Sequence, residues 1–372
     1  MRLETKAIHS GLDVLKESIA VVPPLNTSTI FEHDQQGSQP GDLNYTRAQN
    51  PNRAQLEALI ADLEEGEACA TFSSGVAAAA AVFQALEPGD HVIMPEDVYH
   101  GNRQLMKQLM TPWGLQCDYV DMTDLNKVED VINSDTKLLW IETPSNPMLL
   151  ISDIAELCKL AKSNDLLVCV DNTWPTPVNQ LPLELGADLS LHSTTKYFGG
   201  HSDILGGAVV AKQEEGIFKR IRQIQITAGA VPSPRDCWLL SRSIRTLPYR
   251  MRGHNENAGH VARFLQDHPK VDRVFYPGLE SDPGNEIAKN QMNGYGGMVS
   301  FLYSGKKEQT IRAVGRSELI LRATSLGGVE STWEHRRSSE GEDSTTPQNL
   351  IRISVGLEHP EDLLEDLGKA LG

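Results

Sequence analysis

From about residue 66 to 211, short apolar runs alternate with stretches whose hydrophobic residues recur at helical spacing. The runs Ala68–Phe72, His91–Met94, Lys137–Glu142, Leu166–Val170, Asp188–His192 and Gly206–Ala211 read as strands. Helices are expected between them, at Arg53–Glu64, Ala77–Leu86 and Ile154–Ser163. Leu166–Val170 is continuously apolar, as a parallel strand buried on both faces must be. This pattern predicts an α/β fold around a mostly parallel sheet. The composition shifts at 228–236, where Pro232 and Pro234 interrupt the pattern. A long arginine-rich helix is expected at about Asp236–Leu265. Strands follow near Met298–Tyr303, Leu319–Ala323 and Leu350–Val355, with helices at 306–316 and 360–371. Trp333–Gln348 is charged, serine-rich and aperiodic, and reads as a loop.

Residues 1 to about 45 lack such periodicity, and Pro23, Pro24 and the Gln36–Gly41 stretch break any element. They read as an extended arm whose Val21, Val22, Leu25, Ile30 and Phe31 need cover from a neighbouring subunit or from their own chain. Three parts result: an arm at 1–47, a large domain at 48–232 and a smaller α/β domain at 233–372.

Charge narrows the partners. With 34 basic and 50 acidic residues the 372-residue chain carries a net −16, which repels nucleic acid and anionic membrane. Cys69, Cys117, Cys158, Cys169 and Cys237 are scattered, with no C-x-x-C, so neither a disulfide framework nor a metal site is expected. The residues after Met1 lack the apolar segment of a signal peptide, and no run approaches a membrane span. A cytoplasmic protein is expected.

The chemistry gathers at strand ends. Tyr99, Asn146, Asp171 and Ser193-Thr194-Thr195-Lys196 each follow a strand, and ligands of open α/β sheets bind outside the carboxyl ends of strands. Lys196 is an amine among hydroxyls, placed to attack a carbonyl, and the hydroxyls can bond a phosphate. Ser73-Ser74-Gly75-Val76 opens a helix after a strand, which makes free N–H groups available to an anion. Tyr45 and Arg47 point the same way in extended chain, as a phosphate clamp would. Asp171 lies 25 residues before Lys196 (196 − 171), on the preceding strand, placed to keep a pyridine nitrogen protonated. Tyr99 can stack on a planar ring, and Arg352 can take a substrate carboxylate bidentately. Each residue has a plainer reading: Asp171 as a helix cap, Ser74 as a helix cap in a simple connection, Arg352, Tyr45 and Arg47 as surface groups. Together they form a consistent site for an amino acid and pyridoxal phosphate.

In these motifs the chain resembles the cystathionine γ-synthase, cystathionine γ- and β-lyase and methionine γ-lyase family. They are Tyr45-Thr-Arg47 with Asn50-Pro51, Phe72-Ser-Ser-Gly75, Glu142-Thr-Pro-Ser-Asn146-Pro147, Val170-Asp-Asn-Thr173, His192–Asp203, Ser325–Ser331 and Ile351–Glu358. The resemblance implies an aspartate-aminotransferase-like fold of type I, with a large cofactor domain and a smaller C-terminal domain. It implies that Lys196 carries pyridoxal 5'-phosphate as a Schiff base and moves protons, and that Asp171 pairs with the pyridinium. Tyr99 would stack on the ring and Asn146 neighbour its hydroxyl. Gly75, Val76, Ser193 and Thr195 would hold the phosphate, joined by Tyr45 and Arg47 from a second subunit. Arg352, Ser325 and Asn146 would receive the substrate carboxylate, in a homotetramer built as a dimer of dimers. The implied activity is elimination or replacement at the γ (or β) carbon of an L-amino acid in sulfur metabolism.

The chain departs from the family pattern on the substrate side. Thr324 stands where relatives show glutamate or a small apolar residue, and His100-Gly-Asn-Arg103 follows Tyr99 in place of two glycines. His335–Asp343 replaces a His-Pro-Ala-Ser-Met-Thr-His loop, and its Arg336 and Arg337 point to an additional anion, an acidic substrate tail, or a solvated loop. A β-lyase, an enzyme of a non-sulfur amino acid and a non-catalytic binding protein remain as alternatives. A dinucleotide-dependent dehydrogenase does not, because no G-x-G-x-x-G follows an early strand.

Overall fold

The computed structural model describes residues 1–15, 20–39, 43–341 and 344–372. Its strands are β1 (Ala68–Phe72), β2 (His91–Pro95), β3 (Gln116–Val120), β4 (Thr136–Glu142), β5 (Leu167–Asp171), β6 (Leu189–His192), β7 (Gly207–Ala211), β8 (Val271–Phe275), β9 (Met298–Tyr303), β10 (Leu321–Arg322), β11 (Thr332–His335) and β12 (Leu350–Ser354). The first seven form one sheet in the order β1-β7-β6-β5-β4-β2-β3, and the last five a second in the order β10-β11-β12-β9-β8.

In the large sheet β2 to β6 run parallel. Only β7 is reversed, pairing antiparallel with both β1 and β6. β1 therefore runs with the parallel set, and six carboxyl ends share one edge. The apolar strands are sealed on both faces: Leu138, Trp140, Val168, Val170, Val209 and Val210 are all buried. Along the middle of the chain the helices fall where the periodicity put them, at Pro51–Leu63, Gly75–Gln84 and Ile154–Ser163. Pro51 opens the first, where its missing N–H has no cost, and Asn50 caps it.

Four expectations need correction. The first residues are not wholly extended: Leu3–His9 is a helix, too short for its periodicity to stand out. Part of the Gln36–Gly41 stretch, Pro40 and Gly41, lies outside the described residues. The long arginine-rich helix is two, Pro234–Ile244 and Leu247–Gln266, because Pro248 cannot donate the backbone bond that continuity needs. The first of them buries Cys237, Leu240 and Ile244 in the core beneath the large sheet. β3 and β8 were not anticipated; both are sheet edges, exposed on one side, so their polar alternation (Gln116-Cys-Asp118, Val271-Asp-Arg273) hides the strand signal.

The largest correction is at Trp333–Gln348, which is not a loop throughout. Residues 332–335 form β11, paired antiparallel with β12, and Arg336–Glu340 is a short helix. The charges that suggested solvent are buried against one another. Glu334 and Arg336 are 6% and 5% exposed. Glu342 and Asp343, the end of the departing loop, lie outside the described residues.

Candidate active site

Neighbouring parallel strands in register present their last side chains on one face. Glu142 at the end of β4 is the register partner of Asp171 at the end of β5, which in turn faces Leu191 on β6. Asp171 accepts from the Thr173 hydroxyl at 2.5 Å and from the Thr173 N–H at 3.1 Å. Burial raises its pKa, while those bonds and the charges of His192 and Lys196 oppose the rise. The Thr173 hydroxyl also accepts from the Ser193 N–H at 2.8 Å, which ties the ends of β5 and β6 together.

After β6 the chain turns tightly through Ser193–Gly200 and carries Lys196 on that turn. Gly200 N–H donates to the Lys196 carbonyl at 2.7 Å, and Gly200 sits at φ +69°, where glycine is unstrained. Buried Arg250 braces the turn by donating to the Tyr197 carbonyl at 2.6 Å. The Lys196 ammonium donates to Ser325 Oγ at 2.6 Å. Ser325 is held at φ +81°, a conformation that costs a non-glycine residue about 1 kcal/mol or more and is found where function needs a side chain aimed. Burial pushes the Lys196 amine down to about 8, helped by the nearby Arg352 and Arg336 charges. An amine so poised loses its proton more readily than an ordinary lysine, as a nucleophile or base must.

The helix Gly75–Gln84 starts at the carboxyl edge of β1, with Ser74 Oγ accepting from the Ala77 N–H. A Cβ on Gly75 would come within 2.7 Å of Ser193 Cβ, so only glycine lets the helix start approach the Ser193 turn. Gly75, Val76, Tyr99, Asn146, Asp171, Ser193, Thr195, Lys196, Thr324, Ser325 and Arg352 line one cavity of about 290 Å³. Thr194 does not: its side chain is buried outside the cavity, so the three hydroxyls expected around the lysine reduce to two. Tyr45 and Arg47 are also elsewhere. Tyr45 is exposed, and Arg47 donates to the Ile226 carbonyl at 2.6 Å.

The substrate side holds residues that the sequence reading passed over. Glu334 lies directly opposite Arg352 across β11 and β12. Its Oε1 takes Arg352 Nη2 at 2.5 Å and Arg336 Nη1 at 3.0 Å. Burial would raise this carboxyl, but the two guanidinium groups hold it below the usual range. Arg352 Nη1 also donates to Asn146 Oδ1 at 2.7 Å. Burial and the Arg336 charge lower the Arg352 pKa to about 10. Glu142 accepts from the Tyr99 N–H at 2.9 Å and so fixes where the tyrosine starts; burial, then Asp171, raises its pKa well above normal. Trp174 lines the same cavity, with the Arg352 guanidinium 6.0 Å from its ring centroid. A glutamate ending an apolar strand and a tryptophan after Asp171-Asn-Thr were available signals. The Glu334–Arg352 pairing was not, because seventeen intervening residues return the chain with no sequence mark of register (352 − 334 − 1 = 17).

The turn after Tyr99 is the helix His100–Leu105. His100, Gly101 and Asn102 line the cavity, but Arg103 turns outward and covers the Tyr119 ring, 4.1 Å from its centroid. Arg103 therefore does not face the substrate, as the sequence had suggested.

A lysine of lowered pKa, a buried carboxylate and a helix start with its glycine cradle fit pyridoxal phosphate at its three functional ends. Across residues 4–372 the chain matches the family described as Cys/Met metabolism PLP-dependent enzyme. The chain belongs to that family. It is thus a pyridoxal-phosphate-dependent enzyme, as its motifs implied. Cystathionine gamma-synthase of Mycobacterium tuberculosis is 45% identical over 374 residues, 99% of this chain and 96% of that protein. Cystathionine beta-lyase of Coxiella burnetii is 40% identical over 378 residues, 99% of this chain and 97% of that protein. A crystal structure of cystathionine gamma-lyase from Lactobacillus plantarum, complexed with L-serine, superposes with a TM-score of 0.94 at 38% identity, covering 100% of this chain and 98% of that one. The aminotransferase-like α/β reading agrees with this likeness. Among the described residues, no helix is long and apolar enough to cross a membrane, and no cluster could hold a metal ion.

Proposed function

We propose that the enzyme eliminates or replaces the γ (or β) substituent of a sulfur-containing L-amino acid. The observation that carries this reading is the cavity that joins Lys196 to Arg352 through Ser325: Lys196 Nζ holds Ser325 Oγ at 2.6 Å, and Arg352 Nη2 approaches the Ser325 carbonyl at 3.5 Å. When bound, the cofactor ring withdraws electrons from the substrate α-carbon. Lys196 removes and returns the α-proton at Nζ and, on the γ route, handles the β-proton. Asp171 would hold the ring nitrogen and Tyr99 would stack on the ring face. Gly75, Val76, Ser193 and Thr195 bind the phosphate. Arg352, with Asn146 and Ser325, orients the α-carboxylate, and Thr324 borders the side chain.

Tyr45 and Arg47 are proposed to complete the phosphate site of a second copy in a homotetramer. The exposed apolar arm supports this, with Val21 at 88% and Ile30 at 69% exposure in the single chain. The division into 1–47, 48–232 and 233–372 is proposed on the arm and the two sheets, with the Pro234–Ile244 helix of the last part packed under the large sheet, and a cytoplasmic location fits the five free cysteines. The test is a substrate panel with Lys196→Ala as control. Pyruvate from cystathionine means β-cleavage, 2-oxobutyrate means γ-cleavage, and new cystathionine from O-acylhomoserine plus cysteine means synthesis. The wild type should show a visible band that borohydride bleaches and the variant should not. A purified wild type that takes up no pyridoxal phosphate would refute the proposal.

A further inference from the structure

We propose that Glu64, outside the active-site cavity, is a positioning residue for the cofactor. Through His192 and Asn172 it fixes the two strand ends that carry Asp171 and Ser193, and so keeps the ring-nitrogen contact and the phosphate contact at one spacing. The inference rests on the cofactor contacts proposed above for those two residues.

Glu64 caps the carboxyl end of the helix Pro51–Leu63, and its side chain is fully buried. Its Oε1 meets two residues that are distant in the chain. His192 Nε2 lies 2.5 Å away, and Asn172 Nδ2 donates to it at 2.9 Å. Asn172 directly follows Asp171, and His192 directly precedes Ser193. Successive side chains of extended backbone point to opposite faces. Asp171 and Ser193 accordingly line the cavity, while Asn172 and His192 do not and turn to Glu64. The ends of β5 and β6 are thus tied on both sides: on the cavity side by the Thr173 hydroxyl, which meets Asp171 and the Ser193 N–H, and on the other by Glu64. The His192 ring also meets Phe198 edge-on, with centroids 4.7 Å apart, two residues beyond Lys196.

Stability alone does not account for this pair. Among the described residues, Glu64 Oε2 and His192 Nδ1 have no hydrogen-bond partner, although both are buried. Buried polar atoms without partners cost stability, and apolar residues of similar size often replace a buried ion pair without loss. What apolar residues do not supply is direction: a hydrogen bond fixes the distance and angle between two elements, whereas apolar contacts tolerate a slide. Here the fixed quantity is the offset between two strand ends. The cofactor ring is rigid, and its two ends go to different strands, so a ligand that bridges both gains from the site only while that offset is held.

The test measures, by absorbance titration of the apoprotein, the affinity for two probes: pyridoxal 5'-phosphate, which has both ends, and pyridoxal, which lacks the phosphate. The double variant Glu64→Leu/His192→Leu removes both partners together, and Asn172 keeps its bond to the Gln180 carbonyl at 2.9 Å. Its preference for the phosphorylated probe should fall about tenfold or more, the loss expected when one charge-assisted contact is misplaced, while pyridoxal affinity changes by less than about threefold. Glu64→Gln keeps an acceptor in the same place, and its preference should stay within about threefold of wild type. Leu157→Ala, a buried change on the helix Ile154–Ser163 that leaves the cavity lining intact, should lower Tm and leave the preference unchanged. If the double variant does not fold, His192→Leu alone, which leaves Glu64 on Asn172, is read in the same way. An equal fall for both probes, or an unchanged preference in the folded variant, would mean that the pair only supports the fold and would overturn the inference. So would a Glu64→Gln variant that loses as much as the double. A wild type that binds both probes equally would instead refute the proposed phosphate contacts, and the inference would fall with them.

Discussion

Replacing Lys196 by methionine should stabilise the cofactor-free protein near neutral pH. The amine falls from 10.5 to about 8 on folding, with burial the main cause and Arg352 and Arg336 next. At about 1.4 kcal/mol per pH unit, that fall corresponds to roughly 3 kcal/mol against the folded state where both states are protonated. Lys196 is only half-buried, and solvent screening reduces this to about 2 kcal/mol. Methionine fills the aliphatic stem but loses the bond to Ser325 Oγ, worth about 1 kcal/mol. A net gain of about 1 kcal/mol remains, or about 1 °C in Tm for a chain of this length. Because the folded pKa lies below the unfolded one, the unfolded state holds more protons between pH 8 and 10.5. Wild-type stability therefore rises with pH through that window, and the advantage of methionine is complete below pH 8 and gone by 10.5. Calorimetry of both apoproteins at pH 7 and at pH 10.5 measures it. A methionine variant that melts below wild type at pH 7, or whose advantage persists at the higher pH, would refute the reasoning.

Two further substitutions probe the walls of the site. A Cβ added at Gly101 would strike the Tyr99 ring, with its hydroxyl 3.0 Å away, so Gly101→Ala should displace Tyr99 from the place proposed for ring stacking. Spectrophotometric titration should show cofactor binding weakened by about 2- to 10-fold, and unchanged affinity would argue against the stacking role. Glu334→Gln should destabilise the protein by about 3 kcal/mol at pH 7, since it leaves Arg352 with no carboxylate partner while Arg336 keeps Glu340. The Glu334 pKa is lowered on folding, so this contribution is present above the usual 4.5 and is lost as pH falls through the folded value. In urea unfolding the two proteins should differ at pH 7 and converge in acid; equal stability at pH 7 would contradict the ion-pair assignment.

The cofactor half of the site was legible because its residues sit where parallel strands end. An apolar run that stops at Asp171 or Ser193 announces both a buried strand and the edge at which ligands bind. Only Thr194 misled, since strand-end hydroxyls one residue apart do not reveal which of them turns away. The substrate half was misread for a different reason. Glu334, Arg336 and Glu340 have the composition of a solvated loop. They become interior only by pairing with one another and with Arg352, and composition cannot show pairing.

By itself, then, the sequence determined the alternation of strand and helix, the polar residues at the carboxyl edge and the meeting of Lys196 with Asp171 at that edge. These depend on local periodicity and on a sheet rule that holds for any such fold. Only the tertiary structure decided that Glu334 faces Arg352, that Arg336 is enclosed between two glutamates and that Arg103 turns outward. Strand register and the burial of charge are set by contacts between residues distant in the chain, and their energies exist only once both partners have left water.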